Sequence, residues 1–183
     1  MSESIEVSNN RKSLVGLFGI GFVPLIIAWV IFFYFPNLMP SGTTNEGELI
    51  SPPVQASLLG LEAETGRWTL IVPISESCDA ACEERFYLAR QVNVALGKES
   101  ERVHRVMVDL GAEPAKIEAL LLEYPDLVRV PVAASEFGAN LPDSKSIYLM
   151  DPIGNIFMVY DQEKAGKPML KDIKHLLKIS NIG

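Results

Sequence analysis

The fold is decided by the stretch Trp68–Leu96, which reads WTLIVPISESCDAACEERFYLARQVNVAL. Its first seven residues, Trp68–Ile74, are almost all apolar, which is typical of a buried strand. Residues Glu83–Leu96 then place apolar side chains on one helical face. The chain's two cysteines, Cys78 and Cys82, stand between these elements. The sequence therefore predicts a strand that leads into a helix, with a thiol pair at the junction.

The spacing of the two cysteines allows them to meet. With Cys82 in the first helical turn and Cys78 in the preceding loop, their Cα atoms would lie roughly 5–6 Å apart, within disulfide range. The pair could serve as a redox pair, hold a soft metal ion or close an inert bridge. Asp79 and Glu83 disfavour a thiolate, and the nearest basic residue is Arg85, so we expect a sluggish redox pair. Crosslinking so short a loop adds little stability, which favours a functional role.

The N-terminal region contains an uncharged apolar run, Leu14–Phe35. As a helix it would be about 33 Å long, enough to cross a bilayer. Arg11 and Lys12 precede it and the next basic residue is Arg67, so the positive-inside rule predicts a cytoplasmic N-terminus. A signal peptide would have a shorter apolar core. We therefore expect an uncleaved single-pass anchor in the inner (cytoplasmic) membrane, with the C-terminal domain in the periplasm.

The expected domain order follows from these features. Residues 1–13 are predicted as a cytoplasmic tail, 14–35 as the transmembrane helix, 36–53 as a Pro- and Gly-containing linker, and 54–183 as the globular domain. The alternative for one part of the linker, Gly47–Ile50, is that it packs on the domain. A compartment outside the cytoplasm allows two cysteines to be oxidised and remain so. The formal net charge of −7 argues against nucleic-acid binding.

The rest of the globular region alternates strands and helices. Further strands are predicted at Arg102–Asp109, Ser146–Met150 and Ile156–Tyr160, and further helices at Ala112–Tyr124 and from Pro168 onward, while Leu127–Val132 is either a short strand or an extended loop. The turn signals between the last two strands make them a hairpin. This order predicts an α/β fold with a mixed sheet, and the thiol pair after the first strand indicates a thioredoxin-like layout.

The run from Trp68 to Asp161 resembles the Sco/SenC family, whose members are membrane-anchored thioredoxin-fold proteins that assist copper-centre assembly in cytochrome c oxidase. The motif Cys78-x-x-x-Cys82 stands where the family has its C-x-x-x-C motif, and Ile147–Gly154 resembles the family's late hairpin. The resemblance implies that Cys78 and Cys82 are the site residues, and that their sulfurs could be ligands of a copper ion. It implies a cytochrome c oxidase subunit or another assembly factor as partner.

This chain departs from the family pattern at the position of the copper histidine. The residue five before Tyr148 is Asp143, and a carboxylate is a poor ligand for Cu(I). His104 and His175, the two histidines of the chain, fall on a strand start and on the last helix, where we expect exposed side chains. We therefore expect a divergent Sco-like protein that lacks the copper histidine.

Three functional hypotheses follow. The first is a Sco-like factor that assists oxidase assembly through thiol-disulfide chemistry of Cys78 and Cys82, which would make it a thiol-disulfide oxidoreductase. The second is a non-catalytic interaction module of a respiratory complex, in which the cysteines are dispensable. The third is a copper carrier with altered ligands, in which Cys78 and Cys82 hold the metal.

Overall fold

The structure is a computed structural model that describes residues 10–35, 44–76 and 78–182. It divides the chain into two compact units, Met1–Thr44 and Asn45–Gly183. In the first unit, helix α1 spans Asn10–Tyr34. Its segment Ser13–Tyr34 has a mean hydropathy of 2.5 and is long and apolar enough to cross a membrane. The predicted N-terminal apolar helix is therefore confirmed as a candidate span, while most of the predicted tail lies outside the described residues.

The second unit is built on a six-stranded sheet in the order β1-β6-β5-β2-β3-β4. The strands are β1 (Glu48–Gln55), β2 (Trp68–Ile74), β3 (Val103–Asp109), β4 (Leu127–Pro131), β5 (Ile147–Met150) and β6 (Asn155–Tyr160), and the helices are α2 (Ala80–Ala95), α3 (Pro114–Glu123), α4 (Ala134–Asn140) and α5 (Lys167–Ile179). Strands β2, β3 and β4 are parallel, whereas β1, β5 and β6 pair antiparallel. This confirms the predicted mixed α/β, thioredoxin-like layout.

Two apolar layers cover the two faces of the sheet. Successive side chains of a strand point to opposite faces, so Leu70 and Val72 of β2 pack in one layer and Ile71 in the other. The first layer also holds the buried residues of α2, α3 and α5, and the second holds those of α4. Strand β2 is fully buried along its length. It therefore forms a rigid support for the loop that carries the cysteines.

Strand β1 corrects the predicted linker. The range 36–53 is wrong at its C-terminal end, because β1 begins within it and pairs with β6. Pro52 and Pro53 favour a linker in sequence terms, but β1 is an edge strand, where missing N–H donors are tolerated. The pairing with β6 is interrupted between Leu49 and Val54, the stretch that contains both prolines. Residues 36–43 lie outside the described part of the chain.

The carboxyl end of β3 carries a buried carboxylate, that of Asp109. One oxygen accepts hydrogen bonds from the backbone N–H groups of Gly111 (3.0 Å) and Ala112 (2.9 Å), and the other accepts two from the Arg129 guanidinium (3.0 and 2.6 Å). Burial raises the pKa of Asp109, but these hydrogen bonds and the charge of Arg129 together hold it below its ordinary value. The carboxylate of Asp109 therefore stabilises the turn after β3, and it makes no hydrogen bond to Cys78 or Cys82.

We expect the Asp109→Asn substitution to lower the free energy of unfolding by about 1–3 kcal/mol at neutral pH, because an amide cannot satisfy this set of donors. The folded pKa of Asp109 lies below the unfolded one. The contribution of its charge is therefore complete above an unfolded pKa of about 3.9 and is lost as the pH falls through the folded pKa. Urea unfolding of the full-length protein in detergent should thus show a smaller difference between variant and wild type at acid pH. An unchanged difference would contradict this assignment.

Candidate functional site

The two cysteines form a disulfide at the junction of β2 and α2. The Cα atoms of Cys78 and Cys82 are 5.1 Å apart, as their spacing predicts. Cys82 lies in the first turn of α2 and is only 2% exposed, whereas Cys78 lies in the preceding loop and is half-buried. The two sulfurs therefore differ in accessibility, and a reagent from solvent reaches Cys78 first.

Asp79 caps the N-terminus of α2 between the two cysteines. Its backbone is extended, and its Oδ1 accepts a hydrogen bond from the backbone N–H of Cys82 at 2.9 Å. This donor is one of the free N–H groups that would otherwise stabilise a thiolate at a helix N-terminus. The carboxylate also adds a negative charge beside the sulfurs. The cap therefore stabilises the helix and disfavours an anionic sulfur.

Arg85 is buried one helical turn after Cys82. The side chain is 6% exposed, and its Nη1 donates to the carbonyl oxygen of Ala81 at 3.5 Å. Its Nε is buried and has no hydrogen-bond partner among the residues that the structure describes. Burial lowers the pKa of the Arg85 guanidinium, while the charges of Asp79 and Asp143 raise it. A cation and two carboxylates therefore act on one another next to the disulfide.

Asp143, which the resemblance to the Sco/SenC family predicts at the position of the copper histidine, belongs to the turn before β5. Its carboxylate accepts hydrogen bonds from the backbone N–H of Lys145 (3.0 Å) and from the hydroxyl of Ser146 (2.9 Å). Its own backbone N–H donates to the hydroxyl of Tyr148 at 3.0 Å, and burial raises the pKa of Tyr148 to about 12. The carboxylate of Asp143 is thus committed to holding this turn.

Neither histidine approaches the cysteines in a way that completes a metal site. His104 pairs in register with Thr69, near the start of β2. The carboxyl end of β2, which leads to the cysteines, lies about 17 Å further along that strand. His104 is half-buried, not exposed as expected, and contacts Glu64 and Arg67. His175 is exposed on α5, as expected.

The groups around the disulfide do not fit a copper site. Within the described ranges, no group of three or more His, Cys, Asp or Glu side chains is arranged to hold a metal ion. The sulfurs of Cys78 and Cys82 are bonded to each other, and the carboxylate of Asp143 is engaged by its own turn. Cu(I) would require the reduced cysteines and a third soft donor. Copper binding by this pair stays a prediction.

A comparison with protein families identifies the domain. Residues 68–180 match the family described as transmembrane-like, thioredoxin-like, C-terminal domain. The chain belongs to this family. The match begins at β2 and ends just after α5, so the disulfide and all of its surroundings lie inside the thioredoxin-like domain. No curated protein matches the chain.

Solved structures share the thioredoxin-like fold with the chain at low identity. Yeast Sco1 is 14% identical, with a TM-score of 0.52 over 76% of this chain and 98% of that one. A SCO1/SenC family lipoprotein from Bacillus anthracis is 12% identical, with a TM-score of 0.50 over 76% and 98%. A thiol:disulfide interchange protein from Bacteroides sp. is 13% identical, with a TM-score of 0.50 over 76% and 95%. These likenesses show the fold alone, which Sco proteins and oxidoreductases have in common.

The sequence predicts the position of the cysteines in this thioredoxin-like domain, but it does not predict that Arg85 is buried beside Cys82. A three-residue spacing places Arg85 and Cys82 on neighbouring positions of one helix face, which is the signal that sequence offers. An arginine next to Glu84 on an amphipathic helix nonetheless suggests a solvated side chain. The structure instead buries Arg85, and the charge of Asp143, almost 60 residues away along the chain, acts on it.

Proposed function

We propose that this protein is a membrane-tethered thiol-disulfide exchange factor that assists the assembly of cytochrome c oxidase, with Cys78 and Cys82 as its redox pair. The observation that carries the proposal is the disulfide at the strand-to-helix junction, with one accessible and one buried sulfur. The thioredoxin-like fold, which the chain shares with a thiol:disulfide interchange protein and with yeast Sco1, supports it. The oxidase as target rests on the resemblance of the sequence to the Sco/SenC family.

The difference in accessibility between Cys78 and Cys82 defines the order of the exchange steps that we propose. A thiolate of the partner attacks Sγ of Cys78, the Cys78–Cys82 bond breaks, and its electron pair leaves on Sγ of Cys82. The product is a mixed disulfide between the partner and Cys78. A second thiolate of the partner then attacks the partner's sulfur in that bond and releases Cys78. Both cysteines take up protons, so that the pair is reduced and the partner dithiol is oxidised to a disulfide. The reverse sequence reduces a partner disulfide.

The setting that we propose for this chemistry is the outer side of the cytoplasmic membrane. Helix α1 is apolar enough to span it, and the basic residues Arg11 and Lys12 precede the span. On this basis we propose that the disulfide lies in the periplasm, where it can persist. The anchor keeps the domain near membrane proteins, which fits a partner that is an oxidase subunit or another assembly factor.

In the reverse sequence the Cys78 thiolate attacks a disulfide of the partner, and Cys82 then resolves the mixed disulfide. We expect a Cys82→Ser variant to accumulate this mixed disulfide in cells, because Cys78 remains accessible and the resolving thiol is missing. Acid quenching, alkylation and nonreducing electrophoresis followed by mass spectrometry would identify the adduct. The matched control is Cys78→Ser, whose remaining Cys82 is buried and should capture at most a small fraction of the same partner.

Each outcome of this experiment bears on a different part of the proposal. An empty Cys82→Ser trap, or equal capture by both variants, would overturn thiol exchange through Cys78. Capture of general redox proteins alone would support exchange and contradict the oxidase as target. A partner whose reacting thiol lies in the cytoplasm would contradict the proposed orientation.

A further inference from the structure

We propose that Arg85 is the buried cation that stabilises the departing sulfur of Cys82 when the Cys78–Cys82 bond opens. This inference rests on the exchange function proposed above and adds to it a residue that positions charge at the leaving group. The exchange step is the one already written, in which the electron pair of the broken bond moves to Sγ of Cys82.

The position of Arg85 on α2 places its guanidinium over the helical turn that contains Cys82. Residues three apart on a helix are neighbours, with Cβ atoms about 5–6 Å apart, so Arg85 and Cys82 share one face. Long helical side chains lie over the preceding turn. The bond from Nη1 to the carbonyl oxygen of Ala81 shows that Arg85 follows this rule. The guanidinium therefore lies over the turn that contains Cys82.

One buried donor of Arg85, the N–H at Nε, has no hydrogen-bond partner among the described residues while the disulfide is closed. Its Nε is the one buried side-chain nitrogen or oxygen without a hydrogen-bond partner in the described part of the chain. Buried polar groups are almost always paired, so such a donor calls for an explanation. An anionic sulfur on Cys82 would supply the missing acceptor. The unpaired state then belongs to the disulfide form and the paired state to the opened form.

The sulfur of Cys82 needs such a partner because it is buried. A charge that forms in a buried site is costly unless an opposite charge or a hydrogen-bond donor meets it. The backbone N–H of Cys82 already donates to Asp79. Among other cations of this region, Lys116 is paired with Glu83, and Arg129 with Asp109.

The charged groups around Arg85 hold it in its cationic form. From its own helix and cap, Asp79 acts on it directly, and from the turn before β5 Asp143 does so. Glu84 of α2 accepts a hydrogen bond from Gln162, and Glu76 in the loop before Cys78 is exposed. Two carboxylates thus compensate the buried cation in the resting state, and an arginine retains its proton in such a site.

The test is the rate and equilibrium of thiol exchange in the isolated full-length protein in detergent. We expect Arg85→Met, which keeps an unbranched side chain as long as the stem of arginine up to Nε and removes the charge, to be reduced by glutathione about tenfold more slowly than wild type. The thiol–disulfide equilibrium should shift toward the disulfide by a similar factor, about 30 mV for a two-electron couple. Arg85→Lys should retain part of both properties. The control is Arg90→Met, which removes an exposed arginine of the same helix and should leave both unchanged.

A rate and a potential that match wild type in Arg85→Met would overturn this inference, and so would equal changes in Arg85→Met and Arg90→Met. If Arg85→Met does not fold, Arg85→Lys and Arg85→Gln decide the question, since charge alone separates their expected potentials. These measurements use a small thiol and no cellular partner. An empty Cys82→Ser trap together with a changed potential in Arg85→Met would therefore reject the proposed cellular function and retain the role of Arg85.

Discussion

Replacement of Asp172 by alanine is expected to lower the free energy of unfolding of the second unit by about 3–4 kcal/mol, the largest effect on stability that we predict for a single side chain. Asp172 lies on α5 and is 5% exposed. Its carboxylate accepts hydrogen bonds from the backbone N–H of Glu46 (2.9 and 3.0 Å), from that of Gly47 (2.9 Å) and from the hydroxyl of Tyr160 (3.2 Å). Alanine would leave both backbone donors without their acceptor, while the Tyr160 hydroxyl would keep Sδ of Met158 at 2.7 Å.

The surroundings of this carboxylate leave little room for compensation. A Cβ atom at Gly47 would lie 2.6 Å from Cε1 of Tyr160 and 2.8 Å from Cγ of Met158, so the backbone is in close contact with β6. Burial, together with the charge of Asp172 and the hydrogen bond to it, raises the pKa of Tyr160, which therefore stays a neutral donor. We expect Asp172→Ala to destabilise the domain and to weaken the attachment of the segment Glu46–Gly47 to it.

Chemical denaturation of full-length protein in detergent would measure this effect. Asp172→Asn retains one oxygen acceptor and should lose about half as much stability. Lys174→Ala removes an exposed side chain of the same helix and should change the free energy of unfolding by less than about 0.5 kcal/mol. Hydrogen exchange at the N–H groups of Glu46 and Gly47 should accelerate in Asp172→Ala. Equal denaturation midpoints for Asp172→Ala and Lys174→Ala would contradict the assignment.

The same contacts explain which parts of this fold can be predicted from the sequence. Strand β2 and the cysteine pair are predictable because an apolar run and a fixed spacing are local signals. Strand β1 carries two prolines and depends on pairing with β6, about 100 residues later, so its pattern suggests a linker. Helix α4 has seven residues with only Phe137 buried, too few for a helical period to appear.

Some features of the candidate site can also be predicted from the sequence, and others cannot. The meeting of Cys78 and Cys82 and their place at the strand-to-helix junction are predictable, because five residues and two elements determine them. The burial of Arg85 is not, because a charged residue on an amphipathic helix is usually solvated. The resemblance to the Sco/SenC family predicts from the sequence that Asp143 stands where those proteins have a copper histidine. Only the structure shows that the carboxylate is engaged by its own turn.

Removal of both sulfurs is expected to abolish oxidase assembly while leaving the domain folded. We choose Cys78→Ala/Cys82→Ala, because alanine places no polar group in the buried position of Cys82. The disulfide closes a loop of only a few residues, so its loss should cost about 2 kcal/mol by the loop-entropy relation. The activity of the oxidase would be measured in a strain that lacks the native gene and expresses the variant at wild-type level.

A variant matched in stability separates loss of chemistry from loss of fold. Asp109→Asn should lose a similar amount of stability through a carboxylate that does not contact the cysteines, so it should retain oxidase assembly. If the double variant fails and Asp109→Asn succeeds, the sulfurs themselves are required. If the double variant restores assembly, the cysteines are dispensable and the domain acts as an interaction module, because a fold without its thiols can still bind a partner but cannot exchange a disulfide with it.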